Sequence, residues 1–148
     1  ESEEWLPINR DQPNKAANRQ GLIDRETCIL LAEDNADMRE YLKRLLSQRW
    51  KVEAVADGSS ALKAAQRLHP ALILTDIMMP VMDGPELART IRADPSLRTI
   101  PIVMMTSLPS AVPAEPGLYE GVLRKPFEPG MLLVVIEACL QGRDDLQH

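Results

Sequence analysis

The chain has 148 residues, 45% of them hydrophobic and 26% charged, with a formal net charge of −5 and a pI near 5.1. That size and balance suit one globular domain, and the acidic excess leaves no basic stripe to neutralise nucleic-acid phosphates or an anionic membrane, so neither partner is expected. The longest apolar run, "MLLVVI", is too short to cross a bilayer, and no charged-then-apolar leader opens the chain.

Residues 1–25 are polar, broken by Pro7 and Pro13, with Trp5, Leu6 and Ile8 as their one apolar group, and read as a linker. The first residue is Glu1 rather than Met, which suggests a piece of something longer. A folded unit is expected over 26–142, with 143–148 as a tail. "TCILLA", from Thr27, is the first strand. Asn35 is placed to cap a helix in which Met38, Tyr41, Leu42, Leu45 and Leu46 recur at three- and four-residue spacing. "KVEAVA" follows as a half-buried strand. After the Asp57-Gly58 turn, Ser59 or Ser60 is expected to cap a helix carrying Ala61, Leu62, Ala65 and Leu68, stopped before Pro70.

"ALILTD" is the third strand, and Pro85 suits the first turn of a helix with Leu87, Ala88 and Ile91 inward. "IPIVMMT" is the fourth strand, "GVLRK" the fifth, and "FEPGMLLVVIEACL" the last helix. At about 100° per residue, Leu132, Val135, Ile136 and Cys139 share one face of that helix. Leu133, Val134 and Leu140 are left for another contact, with the Trp5–Leu6 linker, a second copy or a kinase. Cys28 and Cys139 sit singly in apolar runs without metal-ligand spacing, so buried thiols in a reducing, cytoplasmic compartment are expected.

Strands that are apolar almost throughout, alternating with helices, call for a parallel sheet covered on both faces by right-handed crossovers. Five such units make an α/β, flavodoxin-like doubly wound fold with strand order 2-1-3-4-5, in which functional groups gather at the carboxyl ends of the strands. Those ends carry Glu33-Asp34, Asp76, Thr106 and Lys125. Like charges ~4 Å apart repel by about 4 kcal/mol at an effective dielectric near 20, so three carboxylates stay ionised together only if cations compensate them. Lys125 supplies one positive charge and a divalent ion two more. Oxygen-only ligands with room for water suit Mg²⁺ better than zinc.

The acidic pair Glu33-Asp34, the block "DIMMPVMDG" from Asp76 to Gly84, Thr106, and "KPF" from Lys125 occur in an order that resembles the receiver domains of two-component response regulators. The resemblance covers residues 27–141. It implies that Asp76 takes a phosphoryl group from a phosphohistidine on a histidine kinase or phosphotransfer protein. It also implies that Glu33, Asp34, Asp76 and the backbone carbonyl of Met78 hold Mg²⁺, while Lys125 and Thr106 contact the phosphoryl oxygens. The architecture the resemblance implies is the C-terminal receiver of a hybrid histidine kinase.

The sequence departs from that family at two places. The aromatic residue usual three positions before the lysine is Val122, with Tyr119 as a conceivable substitute. The segment "SLPSAVPAEPGLYEG" is short and carries Pro109, Pro113 and Pro116, each costing a helix interior about 3 kcal/mol, so a loop or one short turn replaces the fourth helix. Two other readings compete. One is a receiver-like interaction module that has lost control by phosphorylation. The other is a phosphatase of the haloacid dehalogenase type, disfavoured because Met78 stands where a second aspartate is needed.

Overall fold

The computed structural model describes the backbone of residues 24–147 and the side chains of 27–141. Strand β1 spans Asp24–Ala32, α1 Ala36–Leu46, β2 Trp50–Val55, α2 Gly58–Leu68, β3 Leu72–Asp76, α3 Gly84–Ala93, β4 Ile102–Thr106, β5 Gly121–Arg124 and α4 Pro129–Gln147. The five strands form one all-parallel sheet in the order β2-β1-β3-β4-β5, the doubly wound arrangement the alternation predicts.

Because successive side chains of a strand point to opposite faces, the apolar runs feed two cores. Leu30, Ile73, Ile102 and Met104 pack with Ala61 and Ala65 of α2 and with Leu87 and Ile91 of α3. Ile29, Leu31, Leu72, Leu74, Val103 and Met105 pack on the other face with Leu42 and Leu46 of α1 and with Leu132 and Ile136 of α4.

Helix starts follow side-chain capping. Asn35 accepts from the Met38 N–H at 2.8 Å, as expected. For α2 the cap is Asp57, not Ser59 or Ser60: its Oδ1 accepts from the Ser60 N–H at 2.7 Å. The earlier start brings Gly58 against the loop after β3, where its N–H donates to the Met82 carbonyl at 3.1 Å and a Cβ would lie 2.2 Å from that oxygen. Asp83 caps α3, with Pro85 in the first turn.

Both ends of the described chain differ from expectation. Strand β1 begins at Asp24, where it pairs with Trp50 across an irregularity before Cys28. Helix α4 continues to Gln147 rather than stopping at Leu140, since one internal glycine costs only about 1 kcal/mol and Arg, Leu and Gln favour helix. The expected free stripe on α4 is also narrower. Leu133 and Leu140 are partly buried against the core on the α1 side of the sheet, leaving Val134 exposed. Val134, Met131 and Val122 border an open groove of ≈ 690 Å³. The Trp5–Leu6 contact lies outside the described residues.

Between β4 and β5 the structure shows a single 3-10 turn, Pro109–Ala111, in place of a helix. What secures this connection is Arg92 of α3. Its guanidinium donates to the carbonyls of Gly117, Arg98 and Ile100 at 2.9, 2.9 and 2.7 Å and to Glu120 at 2.8 Å. Glu120 in turn accepts from the Ile102 N–H at 2.7 Å, and Arg89 pairs with Glu115. Leu118 is buried in the α2–α3 core, and the Tyr119 hydroxyl donates to the Pro113 carbonyl at 2.8 Å.

Charge-assisted hydrogen bonds contribute about 1.5–3 kcal/mol each, and losing the donor strands several carbonyls. Arg92→Ala is therefore expected to lower stability by about 2–3 kcal/mol in urea denaturation, and Arg89→Ala, which removes only an exposed ion pair, far less.

Candidate active site

Strand β1 delivers Glu33 to the carboxyl edge of the sheet, where its N–H continues the ladder to the Val55 carbonyl at 3.0 Å. Its side chain is 1% exposed, yet both oxygens are engaged: Oε1 accepts from Lys125 Nζ at 3.0 Å and Oε2 from the Asn35 N–H at 3.0 Å. A buried carboxylate is tolerable on those terms. Strand β3 delivers Asp76, whose side chain is 13% exposed. Its Oδ1 accepts from the Ile77 N–H at 3.0 Å and its Oδ2 from Lys125 Nζ at 3.2 Å. The Lys125 N–H donates to the Thr106 carbonyl at 2.8 Å, so the ladder beyond β5 carries its ammonium between the two acids.

Four of the sequence-selected residues thus meet. Glu33, Asp34 and Asp76 each offer a carboxylate oxygen within 4.8 Å of the others, with Lys125 bonded to two of the three. Asp34 is exposed, and with Met78, Met79 and Asp83 it lines an open hollow of ≈ 330 Å³ beside the cluster. Three carboxylates against one ammonium leave a local excess of two negative charges. An all-oxygen donor set of that charge, with an open side for water, fits Mg²⁺. The Met78 side chain is exposed, consistent with its identity mattering little.

Thr106 stands at the same edge one strand over, its hydroxyl turned to its own loop. Oγ1 donates to the Leu108 carbonyl at 3.1 Å and accepts from the Leu108 N–H at 2.9 Å. Val122 lies part-exposed on β5, and the Tyr119 ring packs on the α2–α3 core. Gly84 is required where α3 meets the strand end, because a Cβ there would lie 2.4 Å from the Asp76 carbonyl oxygen. Arg39, not singled out by sequence, donates from Nη1 to the Glu33 carbonyl at 2.9 Å and reaches the Asp34 carbonyl at 3.5 Å. Its position one turn after the Asn35 cap was the only available signal.

The electrostatics follow from crowding. Burial first, then the Glu33 charge, push the Asp76 carboxyl up to about 6 against the downward pull of Lys125. Burial draws the Lys125 ammonium down, but its hydrogen bond to Glu33 and the Asp76 and Glu33 charges outweigh it, so its net shift is upward.

Residues 29–137 match the family described as "Response regulator receiver domain". Among curated relatives, the DNA-binding response regulator MtrA of Mycobacterium tuberculosis is 36% identical over 121 residues, covering 79% of this chain and 52% of MtrA. Histidine kinase P4 of Formosa agariphila is 34% identical over 121 residues, covering 80% of this chain and 9% of the kinase. The chain therefore spans about half the length of MtrA and a small part of the kinase. Among solved structures, the receiver domain of sensor histidine kinase PA1611 of Pseudomonas aeruginosa, with a magnesium ion coordinated in its active-site cleft, superposes with a TM-score of 0.69 at 30% identity, covering 78% of this chain and 98% of that one. The chemotaxis protein CheY4 of Vibrio cholerae gives 0.67 at 29% identity, covering 76% and 98%. The chain belongs to the response-regulator receiver family and is a receiver domain of two-component signalling.

A carboxyl whose folded pKa lies above its unfolded value favours the protonated fold, so this group's contribution to stability falls as pH rises from about 4 to about 6. In metal-free buffer, Asp76→Asn is expected to be more stable than wild type by on the order of 2 kcal/mol at neutral pH, the gap closing near pH 4. Urea titrations across that range check it, and a gap independent of pH would contradict it.

Proposed function

We propose that Asp76 accepts a phosphoryl group from a phosphohistidine on a histidine kinase or phosphotransfer protein, with Mg²⁺ held by Glu33, Asp34, Asp76 and the Met78 carbonyl. The observation that carries this is the ammonium of Lys125 bonded to both Glu33 and Asp76 inside a three-carboxylate cluster. The family match and the magnesium-bearing relative support it.

Each residue has a part in the transfer. With its pKa near 6, Asp76 is a carboxylate at neutral pH and able to attack. Its oxygen forms a bond to phosphorus in line with the departing imidazole as the P–N bond breaks, and the imidazole nitrogen takes up a proton. When bound, Mg²⁺ supplies positive charge against the phosphoryl oxygens. Lys125 exchanges its Asp76 contact for a phosphoryl oxygen, and Thr106 exchanges its Leu108 carbonyl for another. The acting unit is residues 26–142. The surface open to a second copy or a docking kinase on the far edge is Val122, Met131 and Val134.

Incubation with Mg²⁺ and acetyl phosphate is expected to add the mass of one phosphoryl group to the intact protein. The gain should vanish in Asp76→Ala and on chelating the metal. A gain that survives Asp76→Ala would contradict the assignment.

A further inference from the structure

We propose that Arg39 is a positioning residue for the divalent cation, holding the Glu33-Asp34 turn in its ligating shape although its own charge opposes the metal. The inference rests on the metal reading above. Arg39 lies in the early turns of α1, half-buried, with Nη1 2.9 Å from the Glu33 carbonyl oxygen and 3.5 Å from that of Asp34. By electrostatics alone this is a poor place for a cation. The N-terminus of a helix repels positive charge, and so does a site that binds a divalent ion. Among the described residues the guanidinium forms no ion pair. What its placement provides is the pair of carbonyl contacts.

Those contacts set the turn. Glu33 has its N–H on Val55, one carboxylate oxygen on Lys125 and the other on the Asn35 N–H, which leaves its carbonyl to be aimed. With that carbonyl drawn back onto Arg39, the peptide plane between the two acids is fixed. The Glu33 carboxylate then faces inward and that of Asp34 stays at the open hollow. The arrangement parallels the partners behind metal ligands in general, whose loss weakens metal binding by about 10- to 100-fold.

The two possible roles of Arg39 predict opposite signs. Calorimetric Mg²⁺ titrations of wild type, Arg39→Ala and Arg39→Lys near neutral pH, each beside a metal-free melting curve, separate them. A positioning role predicts Mg²⁺ binding at least about tenfold weaker in Arg39→Ala. Arg39→Lys, which keeps the charge but puts an ammonium in place of the planar guanidinium whose Nη1 meets both carbonyls, should lie between Arg39→Ala and wild type. The melting temperatures should not follow that order. Unchanged or tighter binding in Arg39→Ala, the latter greatest at low salt, would overturn the proposal while leaving the metal site standing. Should Arg39→Ala not fold, Arg39→Lys binding as wild type does would overturn it equally. Absence of Mg²⁺ binding in wild type would overturn both this and the metal reading.

Discussion

One ammonium among three carboxylates organises this molecule's functional end. Lys125 bonds Glu33 and Asp76 at 3.0 and 3.2 Å, and without it those acids would face each other across a part-buried gap. Their repulsion would be of order several kcal/mol at the effective dielectric of such a site. Even with it, the cluster is two charges short of neutral, and burial first, then the Glu33 charge, push Asp76 up to about 6 against the pull of Lys125. The fold imposes this crowding. The three acids and the lysine stand at the ends of β1, β3 and β5, strands far apart in sequence whose carboxyl ends a parallel sheet necessarily aligns.

The rest of the structure can be read as support for that alignment. Gly84 lets α3 start against the Asp76 carbonyl, Asp83 caps it, and Gly58 lets α2 meet the same loop. On the opposite side, the proline-rich connection has no helix to hold it, and Arg92 does that work through four hydrogen bonds reaching Gly117, Arg98, Ile100 and Glu120. The half of the connection nearest β5 is thereby pinned to α3. The half nearest β4 rests on the Thr106–Leu108 pair and a single 3-10 turn. Any rearrangement that frees the Thr106 hydroxyl falls on that second half, where Leu108 is exposed.

Most of this was legible in the residues. Apolar runs separated by capped amphipathic helices define a doubly wound sheet, and the strand-end rule then selects Glu33, Asp34, Asp76, Thr106 and Lys125 without further information. Pro109, Pro113 and Pro116 correctly argue against a fourth helix. Besides the two element ends, three things were not legible. The α2 cap falls on Asp57, one helix start among several the run of Asp57, Ser59 and Ser60 allows, and it is the start that sets Gly58 against Met82. Leu133 and Leu140 look free on a helical wheel, yet both pack partly buried against the core, a contact set by where α4 docks on the sheet. Arg92 and Arg39 act on backbone carbonyls, and a carbonyl leaves no trace in a sequence.

On the proposed reading, the uncompensated charge of the cluster recruits a divalent cation. The melting temperature of wild type and Asp34→Asn, with and without Mg²⁺ at constant ionic strength, is the direct test of that recruitment. A ligand that binds only the folded state stabilises it by mass action, so Mg²⁺ should raise the wild-type melting temperature in a saturable way and leave Asp34→Asn nearly unmoved. An equal rise in both proteins, or none in wild type, would contradict the account.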